Sequence, residues 1–295
     1  MPPLRAMMSA MTAVSAASAP TCKLPPRLLV TDFDSSLTAS DTIAALLSLA
    51  PTSARRDNAV KEAVDAYLAD FERVKQLLLG GDVCEALHEM ERVEHASLDR
   101  VETSGLLRGI RKEQYARAAE QNMRLRPHAA EALEAASASG VEVHVCSANW
   151  SKGWVEAGLG AHLLPSVRSV LCNDLHLDDE LTTSTGGILR SVVSAADKQR
   201  CFARLEGEQM QREPGRAGEA TVFIGDALSD VLALCAADVG IVIGDDSLLQ
   251  AALEIKGASS CALPLAVADG GILRGVYRAG GWHEVAEVLR LSESH

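Results

Sequence analysis

Aromatic residues are scarce in this sequence, with 3 Trp, 3 Tyr and 4 Phe among 295 residues. Because Ala, Leu and Val are abundant instead, the composition favours helices and buried parallel strands over an all-β sandwich. The 7 cysteines are scattered singly and include no CxxC pair. Neither a disulfide framework nor a zinc site is therefore expected, and a reducing compartment is the expected environment.

Long apolar runs and an excess of basic residues are also absent. No run approaches the ~20 apolar residues that a membrane-spanning helix needs. The sequence has 28 Lys and Arg against 40 Asp and Glu, for a net charge of -12. Such an acidic surface repels nucleic acid and anionic lipid, so neither is an expected partner, and any bound phosphate needs a local cation.

The first 26 residues differ in composition from the rest of the chain. They are rich in Ala, Ser, Met and Pro, contain Arg5 and Lys23, and have no acid before Asp32. This pattern fits either an organelle transit peptide or a disordered tail. The first alternative predicts a chloroplast or mitochondrial protein and the second a cytoplasmic one. In both cases we expect the folded structure to begin at Arg27.

Periodicity divides the remaining chain into a core and an insert. Residues 28–31 form an apolar run typical of a buried strand, whereas residues 42–122 carry helical periodicity and no good strand. After residue 123, apolar strands alternate with helices, which predicts an α/β fold with a doubly wound parallel sheet. The predicted core thus comprises residues 27–41 and 123–295, and residues 42–122 form a helical cap inserted after the first strand.

Two pairs of aspartates follow predicted strands. Asp32 and Asp34 end the first strand, and Asp226 and Asp230 follow the apolar strand at residues 221–224. Ligands bind at the carboxyl ends of strands in such sheets. Carboxylates gathered there would repel one another, and a bound Mg²⁺, which prefers hard oxygen ligands, would relieve the repulsion.

Further candidates lie between the two acidic pairs. Ser147 ends another predicted strand and offers a hydroxyl and the N–H groups of the following turn. Lys198 is the expected side-chain cation, with Lys152 as its rival. Trp150 or Trp154 would suit stacking on a heteroaromatic substrate. The cap acids are expected on a solvated face; they are Glu85, Glu89, Glu91 and Glu94.

The order of these residues resembles the four-motif signature of the haloacid dehalogenase-like hydrolases. The matching segments are Asp32-Phe33-Asp34-Ser35-Ser36-Leu37-Thr38, Ser147, Lys198 and Gly225-Asp226-Ala227-Leu228-Ser229-Asp230. The resemblance extends over about residues 28–291. It implies a doubly wound parallel sheet with a C1-type helical cap.

The same resemblance implies a role for each motif residue. Asp32 would be the nucleophile that forms an aspartyl-phosphate, and Asp34 the general acid and base. The implied phosphate-binding residues are Ser36, Ser147, Ala148, Asn149 and Lys198. The implied Mg²⁺ ligands are Asp32, the Asp34 carbonyl oxygen and Asp226, with Asp230 in support. Ser36 stands where the family commonly has Thr, and it keeps the hydroxyl.

Within that family, the sequence is most similar to the phosphatase domain of plant thiamine-salvage enzymes. The similar segments, besides the first motif, are residues 104–110, 196–198 and 237–244. They imply a phosphomonoesterase of a small metabolite, with thiamine monophosphate as the expected substrate. Those enzymes join this domain to a thiaminase-like helical domain, which has no counterpart in these 295 residues.

Several alternatives remain beside this interpretation. Phosphoserine would need a cap arginine for its carboxylate, and Arg55, Arg56, Arg73 and Arg92 are available. Nucleotide monophosphates are a further substrate class. A phosphate-accepting signalling module would be shorter and lack the helical insert. A catalytically silent metabolite-binding protein would be expected to have lost one of the first two aspartates.

Overall fold

The computed structural model describes residues 21–258, 260–263, 267–268 and 271–290. Its helices are α1 Ile43–Leu47, α2 Ala54–Leu79, α3 Val83–Ser104, α4 Tyr115–Asn122, α5 Ala129–Ala138, α6 Lys152–Leu163, α7 Ala195–Arg212, α8 Val231–Ala236, α9 Ser247–Ile255 and α10 Trp282–Arg290. Its strands are β1 Thr21–Thr31, β2 Glu142–Ser147, β3 Ser169–Cys172, β4 Asp174–Leu177, β5 Ser184–Leu189, β6 Glu219–Gly225, β7 Val239–Ile243, β8 Cys261–Ala262, β9 Val267–Ala268, β10 Gly271–Leu273 and β11 Gly275–Ala279.

The central sheet has the strand order β3-β2-β1-β6-β7-β11-β8, and all of these neighbours pair in parallel. From β1 the chain builds outward to β2 and β3 on one side, then returns to β6 and β7 on the other. The strand order therefore reverses between β1 and β6. A crevice at such a reversal, at the carboxyl ends of the strands, is where open α/β sheets bind ligands.

Helices cover both faces of the sheet, because the apolar side chains of the central strands alternate between two cores. Leu29 belongs to the core under α5, α6 and α10, whereas Leu28 and Val30 belong to the core under α7, α8 and α9. Successive strand residues point to opposite faces, so a continuous apolar run buries both. The predicted doubly wound parallel sheet is confirmed.

The segment from residue 42 to residue 122 contains helices and no strand. Helix α2 begins at the N-cap Ser53, and α3 begins at Asp82, whose carboxylate accepts from the Glu85 N–H at 3.0 Å. The two long helices pack against each other. These elements agree with the predicted cap, whose domain boundaries remain a prediction.

A β-hairpin formed by β4 and β5, which the sequence analysis did not anticipate, packs against the cap. The Ile188 N–H donates to Glu102 Oε1 on α3 at 2.7 Å, and Arg190 pairs with Asp99 at 2.6 Å. An isolated bridge also joins Arg111 to Thr183. The β4–β5 hairpin, which belongs to the core sequence, therefore contacts the cap. These contacts add to the two chain connections that join core and cap.

The predicted start of the folded structure is wrong. Strand β1 begins at Thr21, not at Arg27, and its first residues pair with β10 and with Glu219. The sequence does not predict this early start because the strand contains Pro25 and Pro26, and proline is uncommon inside sheets. Residues 1–20 of the predicted tail or transit peptide lie outside the described residues.

Among the described residues, no helix combines the length and the apolar character that a membrane crossing requires.

Candidate active site

Three adjacent strands bring the predicted residues to one edge of the sheet. Asp32 follows β1, Ser147 ends β2, and Asp226 follows β6. Because β2, β1 and β6 are neighbours in the order given above, these side chains converge at the strand reversal. The Asp32 N–H donates to the Ile224 carbonyl at 2.8 Å, which continues the β1–β6 pairing as far as the carboxylate.

Lys198 joins two of the acids. Its Nζ lies 3.0 Å from Asp32 Oδ1 and 2.7 Å from Asp230 Oδ1, and all three side chains are buried. Helix α7 brings the lysine here and starts with a capping box, in which Ser194 and Asp197 satisfy each other's N–H groups. The rival Lys152 is half-exposed and pairs with Glu156 at 3.7 Å, away from the site.

Burial and charge oppose each other in this group. Burial raises the pKa of Asp32 well above its usual range, the Lys198 charge lowers it, and the neighbouring carboxylates of Asp230, Asp226 and Asp34 raise it further. Burial lowers the pKa of Lys198, but the carboxylates of Asp230 and Asp32 outweigh burial and raise it. The lysine is therefore held charged, and its ammonium group pairs with both Asp32 and Asp230.

Ser36 acts on Asp226. Its hydroxyl is buried and donates to Asp226 Oδ1 at 2.7 Å, and its carbonyl accepts from Trp282 Nε1 at 2.9 Å. The hydroxyl is thus directed to a carboxylate, and Ser36 is not among the described residues that line the cavity, so its predicted binding of phosphate remains a prediction. Burial, followed by the charge of Asp230, raises the pKa of Asp226 to about 6.

Asp230 orients the loop after β6. Its Oδ2 accepts from the N–H groups of Asp226 and Ala227, both at 3.1 Å, and its Oδ1 accepts from Lys198. Gly225 lies against this carboxylate, and a Cβ at that position would be 2.4 Å from Asp230 Cγ. Only glycine permits the approach, so the Gly-Asp start of the fourth motif has a steric reason.

The Asp34 carboxylate is fixed by three hydrogen bonds. Its Oδ1 accepts from the Thr42 N–H at 2.8 Å and from the Thr42 hydroxyl at 2.6 Å, and its Oδ2 accepts from Asn149 Nδ2 at 2.7 Å. Trp154 donates from Nε1 to the Thr42 hydroxyl at 3.1 Å. Asp34 is thus positioned where the chain enters the cap, and the Asn149 side chain is directed to Asp34.

Thr42 was missed by the sequence analysis. A threonine ten residues after the first motif aspartate carries no motif signal, and only its N-cap position before α1 marked it locally.

The two tryptophans that were expected to suit stacking differ in position. The buried Trp154 is unable to stack on a substrate, because its ring lies in the core and its N–H is used by Thr42. Trp150, in contrast, faces the cavity.

The acidic cluster suits a divalent cation. One carboxylate oxygen from each of Asp32, Asp226 and Asp230 lies within 4.8 Å of the other two. Three carboxylates so close leave an excess of negative charge over the single ammonium of Lys198, and oxygen ligands of this kind suit Mg²⁺. The side chain of Asp34 lies outside the cluster, and its predicted contribution through the backbone carbonyl remains a prediction.

A cavity of about 460 Å³ opens above these residues. Its floor contains the predicted residues Asp32, Asp34, Ser147, Ala148, Asn149, Lys198 and Asp226. Of the residues that the motifs implied, Ser36 and Asp230 are not in the cavity lining, although both contact Asp226 behind it. A space of this size accommodates a small phosphorylated metabolite.

The opposite wall of the cavity belongs to the cap. It is formed by apolar side chains of α1, α2 and α3 together with the polar residues Asp41, Tyr67, Glu94 and Ser97. The expectation that Glu94 lies on a solvated face is wrong, as is the same expectation for Glu89, which is buried and pairs with Arg73 and Arg92. Periodicity predicted helices in residues 42–122, but it did not reveal that part of the apolar face of α2 lines a cavity.

Comparison with known proteins agrees with this geometry. Residues 29–234, more than two thirds of the chain, match the model of the haloacid dehalogenase-like hydrolase family. The bifunctional TH2 protein, mitochondrial, of Arabidopsis thaliana is 30% identical over 176 residues, which cover 57% of this chain. The matched region is only 27% of that relative, so the chain spans about a quarter of its length.

Two solved structures are similar to this chain, and the first of them supports a shared fold. A substrate-bound phosphoserine phosphatase is 18% identical, with a TM-score of 0.50 over 77% of this chain and 90% of its own. A cytosolic 5'-nucleotidase IIIB bound to cytidine is 14% identical, with a TM-score of 0.48 over 89% of this chain and 84% of its own. The match to the family model confirms the resemblance of the four motifs, and the chain belongs to the haloacid dehalogenase-like hydrolase family.

Proposed function

We propose that this protein is a Mg²⁺-dependent phosphomonoesterase that acts on a small metabolite through an aspartyl-phosphate. The observation that carries the proposal is the buried Asp32 carboxylate, 3.0 Å from Lys198 and adjacent to the Asp226–Asp230 pair, on the floor of a cavity. A carboxylate so placed is poised to attack a phosphate whose charge is balanced locally.

In the first half of the reaction, an Asp32 oxygen attacks phosphorus and the bond from phosphorus to the ester oxygen breaks. Asp34, held by Thr42 and Asn149, gives a proton to the leaving alkoxide. In the second half, Asp34 takes a proton from water, whose oxygen attacks phosphorus. The Asp32–phosphorus bond breaks and inorganic phosphate leaves.

Other residues hold charge during these steps. Lys198 contacts Asp32 and faces the cavity, where it balances the phosphate oxygens. Ser147 and the backbone of Ala148 line the same floor as phosphate-binding groups. A Mg²⁺ ion bound by Asp32 and Asp226 would supply further positive charge against the phosphate oxygens. Ser36 and Asp230 keep Asp226 in place.

Thiamine monophosphate is the proposed substrate. Two observations support it: the similarity of the motif segments to the plant thiamine-salvage phosphatases, and a cap wall that combines apolar groups with Tyr67 and Glu94. Phosphoserine is disfavoured because the described cavity-lining residues include no arginine to grip its carboxylate. Arg73 and Arg92 lie exposed beside Glu89, and Arg56 donates to the Leu47 carbonyl.

The test is hydrolysis of a panel of phosphate esters with Mg²⁺ or with EDTA. We expect Mg²⁺-dependent turnover and a kcat/KM for thiamine monophosphate at least ~10-fold above that for phosphoserine, or about 1.4 kcal/mol of differential transition-state binding. Nucleotide monophosphates form a further arm of the panel. Equal values, or a preference for phosphoserine, would refute thiamine monophosphate as the substrate. No turnover of any ester would favour a silent metabolite-binding protein.

The two expectations for residues 1–26 lead to a second test. The mitochondrial designation in the name of the Arabidopsis relative supports the organelle alternative over a cytoplasmic location. A fluorescent reporter fused after residue 26 should enter chloroplasts or mitochondria in a plant cell. A reporter that stays in the cytoplasm would contradict targeting by this segment.

A further inference from the structure

Two cap side chains form a hydrogen-bonded pair on the largely apolar wall of the cavity, which also includes Asp41 and Ser97. Tyr67 on α2 donates from its hydroxyl to Glu94 Oε1 on α3 at 2.9 Å. The Tyr67 ring is held by stacking on Phe71, with ring centroids 5.8 Å apart and an interplanar angle of 11°. Both Tyr67 and Glu94 line the same cavity as Asp32 and Lys198. They therefore face whatever lies beyond the phosphate group.

Glu94 differs from the neighbouring cap acid in its partners. Glu89 is paired with two arginines, Arg73 at 3.5 Å and Arg92 at 3.1 Å. Glu94, in the part of the chain that the structure describes, has the Tyr67 hydroxyl as its hydrogen-bond partner and makes no ion pair. Placing a carboxylate in a largely apolar wall without a nearby cation costs free energy, because the charge loses hydration and gains no ion pair. A bound cation would offset that cost.

The electrostatics of Glu94 point the same way. Burial raises its pKa, while the Tyr67 hydrogen bond and the distant charge of Lys198 lower it. A positively charged group in the cavity would favour the ionised carboxylate and remove part of the cost of burial. The faces of Tyr67 and Trp150, which also lines the cavity, add surfaces on which a cation can rest.

We propose that Glu94 and Tyr67 together determine specificity, selecting phosphate esters whose leaving group carries a positive charge. The proposal rests on the proposed phosphatase function and adds the chemistry of the leaving group and the residues that recognise it. Neither side chain touches the reacting atoms in this account. An ester with an anionic leaving group would be repelled by the same carboxylate.

The test compares cationic and neutral esters in matched variants. Thiamine monophosphate and choline phosphate provide the cationic leaving groups, and p-nitrophenyl phosphate provides a neutral aromatic one. In Glu94→Gln we expect the ratio of kcat/KM for thiamine monophosphate to that for p-nitrophenyl phosphate to fall at least ~10-fold. Tyr67→Phe should lower the ratio in the same direction by less. Glu85→Gln, an exposed acid on the same helix, should leave it unchanged.

An unchanged ratio in Glu94→Gln would overturn the proposal. Failure of thiamine monophosphate as a substrate, with choline phosphate still preferred in a Glu94-dependent manner, would refute the substrate assignment and support the specificity role. If the wild-type protein hydrolyses none of the three esters, the proposed function fails. The role of Glu94 is then tested by measuring thiamine binding calorimetrically. Binding weakened at least ~10-fold in Glu94→Gln supports the role. Equal binding, or none to the wild type, overturns it.

Discussion

Replacing Asp226 with asparagine should make the metal-free protein more stable and nearly inactive. Asp226 is largely buried beside Asp230, and its pKa rises from 3.8 to about 6. A raised carboxyl pKa means that the folded state holds the proton more tightly than the unfolded state. The contribution of this proton to the free energy of unfolding is therefore fully present below about pH 4, and it is lost as the pH rises through about 6.

The size of this effect follows from the shift. About two pKa units correspond to roughly 3 kcal/mol of stability lost above pH 6, at about 1.36 kcal/mol per unit. Asparagine removes the charge, and its side-chain oxygen can still accept from Ser36, the bond that measures 2.7 Å in the wild type. We expect Asp226→Asn to raise the free energy of unfolding at pH 7.5 by about 1–3 kcal/mol in EDTA.

Urea unfolding followed by circular dichroism, at pH 7.5 and 4.5, measures this difference. The gain should shrink at pH 4.5, where Asp226 is protonated in the folded wild type. Saturating Mg²⁺ should stabilise the wild type, by about 2.7 kcal/mol at 100 times its Kd, and stabilise the variant much less. Activity should fall at least ~100-fold. Asp65→Asn, an exposed acid on α2, serves as the control and should change neither quantity.

An Asp226→Asn variant no more stable than the wild type at pH 7.5 in EDTA would refute the electrostatic reasoning. A wild type that Mg²⁺ does not stabilise would refute the metal site instead. The two outcomes are separate, because the first is measured without the ion and the second with it.

Four further predictions test individual parts of the structure. Asp32→Asn should fold and lose turnover, and residual activity within tenfold of wild type would contradict its role as nucleophile. Asp34→Asn should slow hydrolysis of an alkyl phosphate by a factor of ~10²–10⁴ but affect p-nitrophenyl phosphate less, since that leaving group needs little protonation; equal losses would argue against proton transfer. Ser194→Ala should reduce the free energy of unfolding by about 1 kcal/mol through loss of the α7 N-cap, as urea titration can show. Removing residues 1–26 should lower the melting temperature, because the paired start of β1 is lost; an unchanged melting temperature would show that this pairing adds no stability.

Local patterns in the sequence were enough to predict part of the fold and part of the site. The alternation of apolar strands with helices after residue 123 predicted the parallel sheet, and the acids at the ends of β1 and β6 could be located from the strands before them. These predictions succeed because a strand or a helix follows from residues close together in the chain. The convergence of the acids follows from the rule that parallel strands share a carboxyl edge.

The partner of each side chain depends instead on the three-dimensional packing of the chain. It directed the Ser36 hydroxyl to Asp226, tied Asp34 to Thr42, and brought Tyr67 and Glu94 to the cavity wall. It also extended β1 past two prolines, because β10, far along the chain, supplies the pairing. Apart from the pair Asp34 and Thr42, which are eight residues apart, these contacts join residues distant in sequence. Their proximity depends on how the helices and strands pack, and that packing cannot be predicted from local composition and spacing.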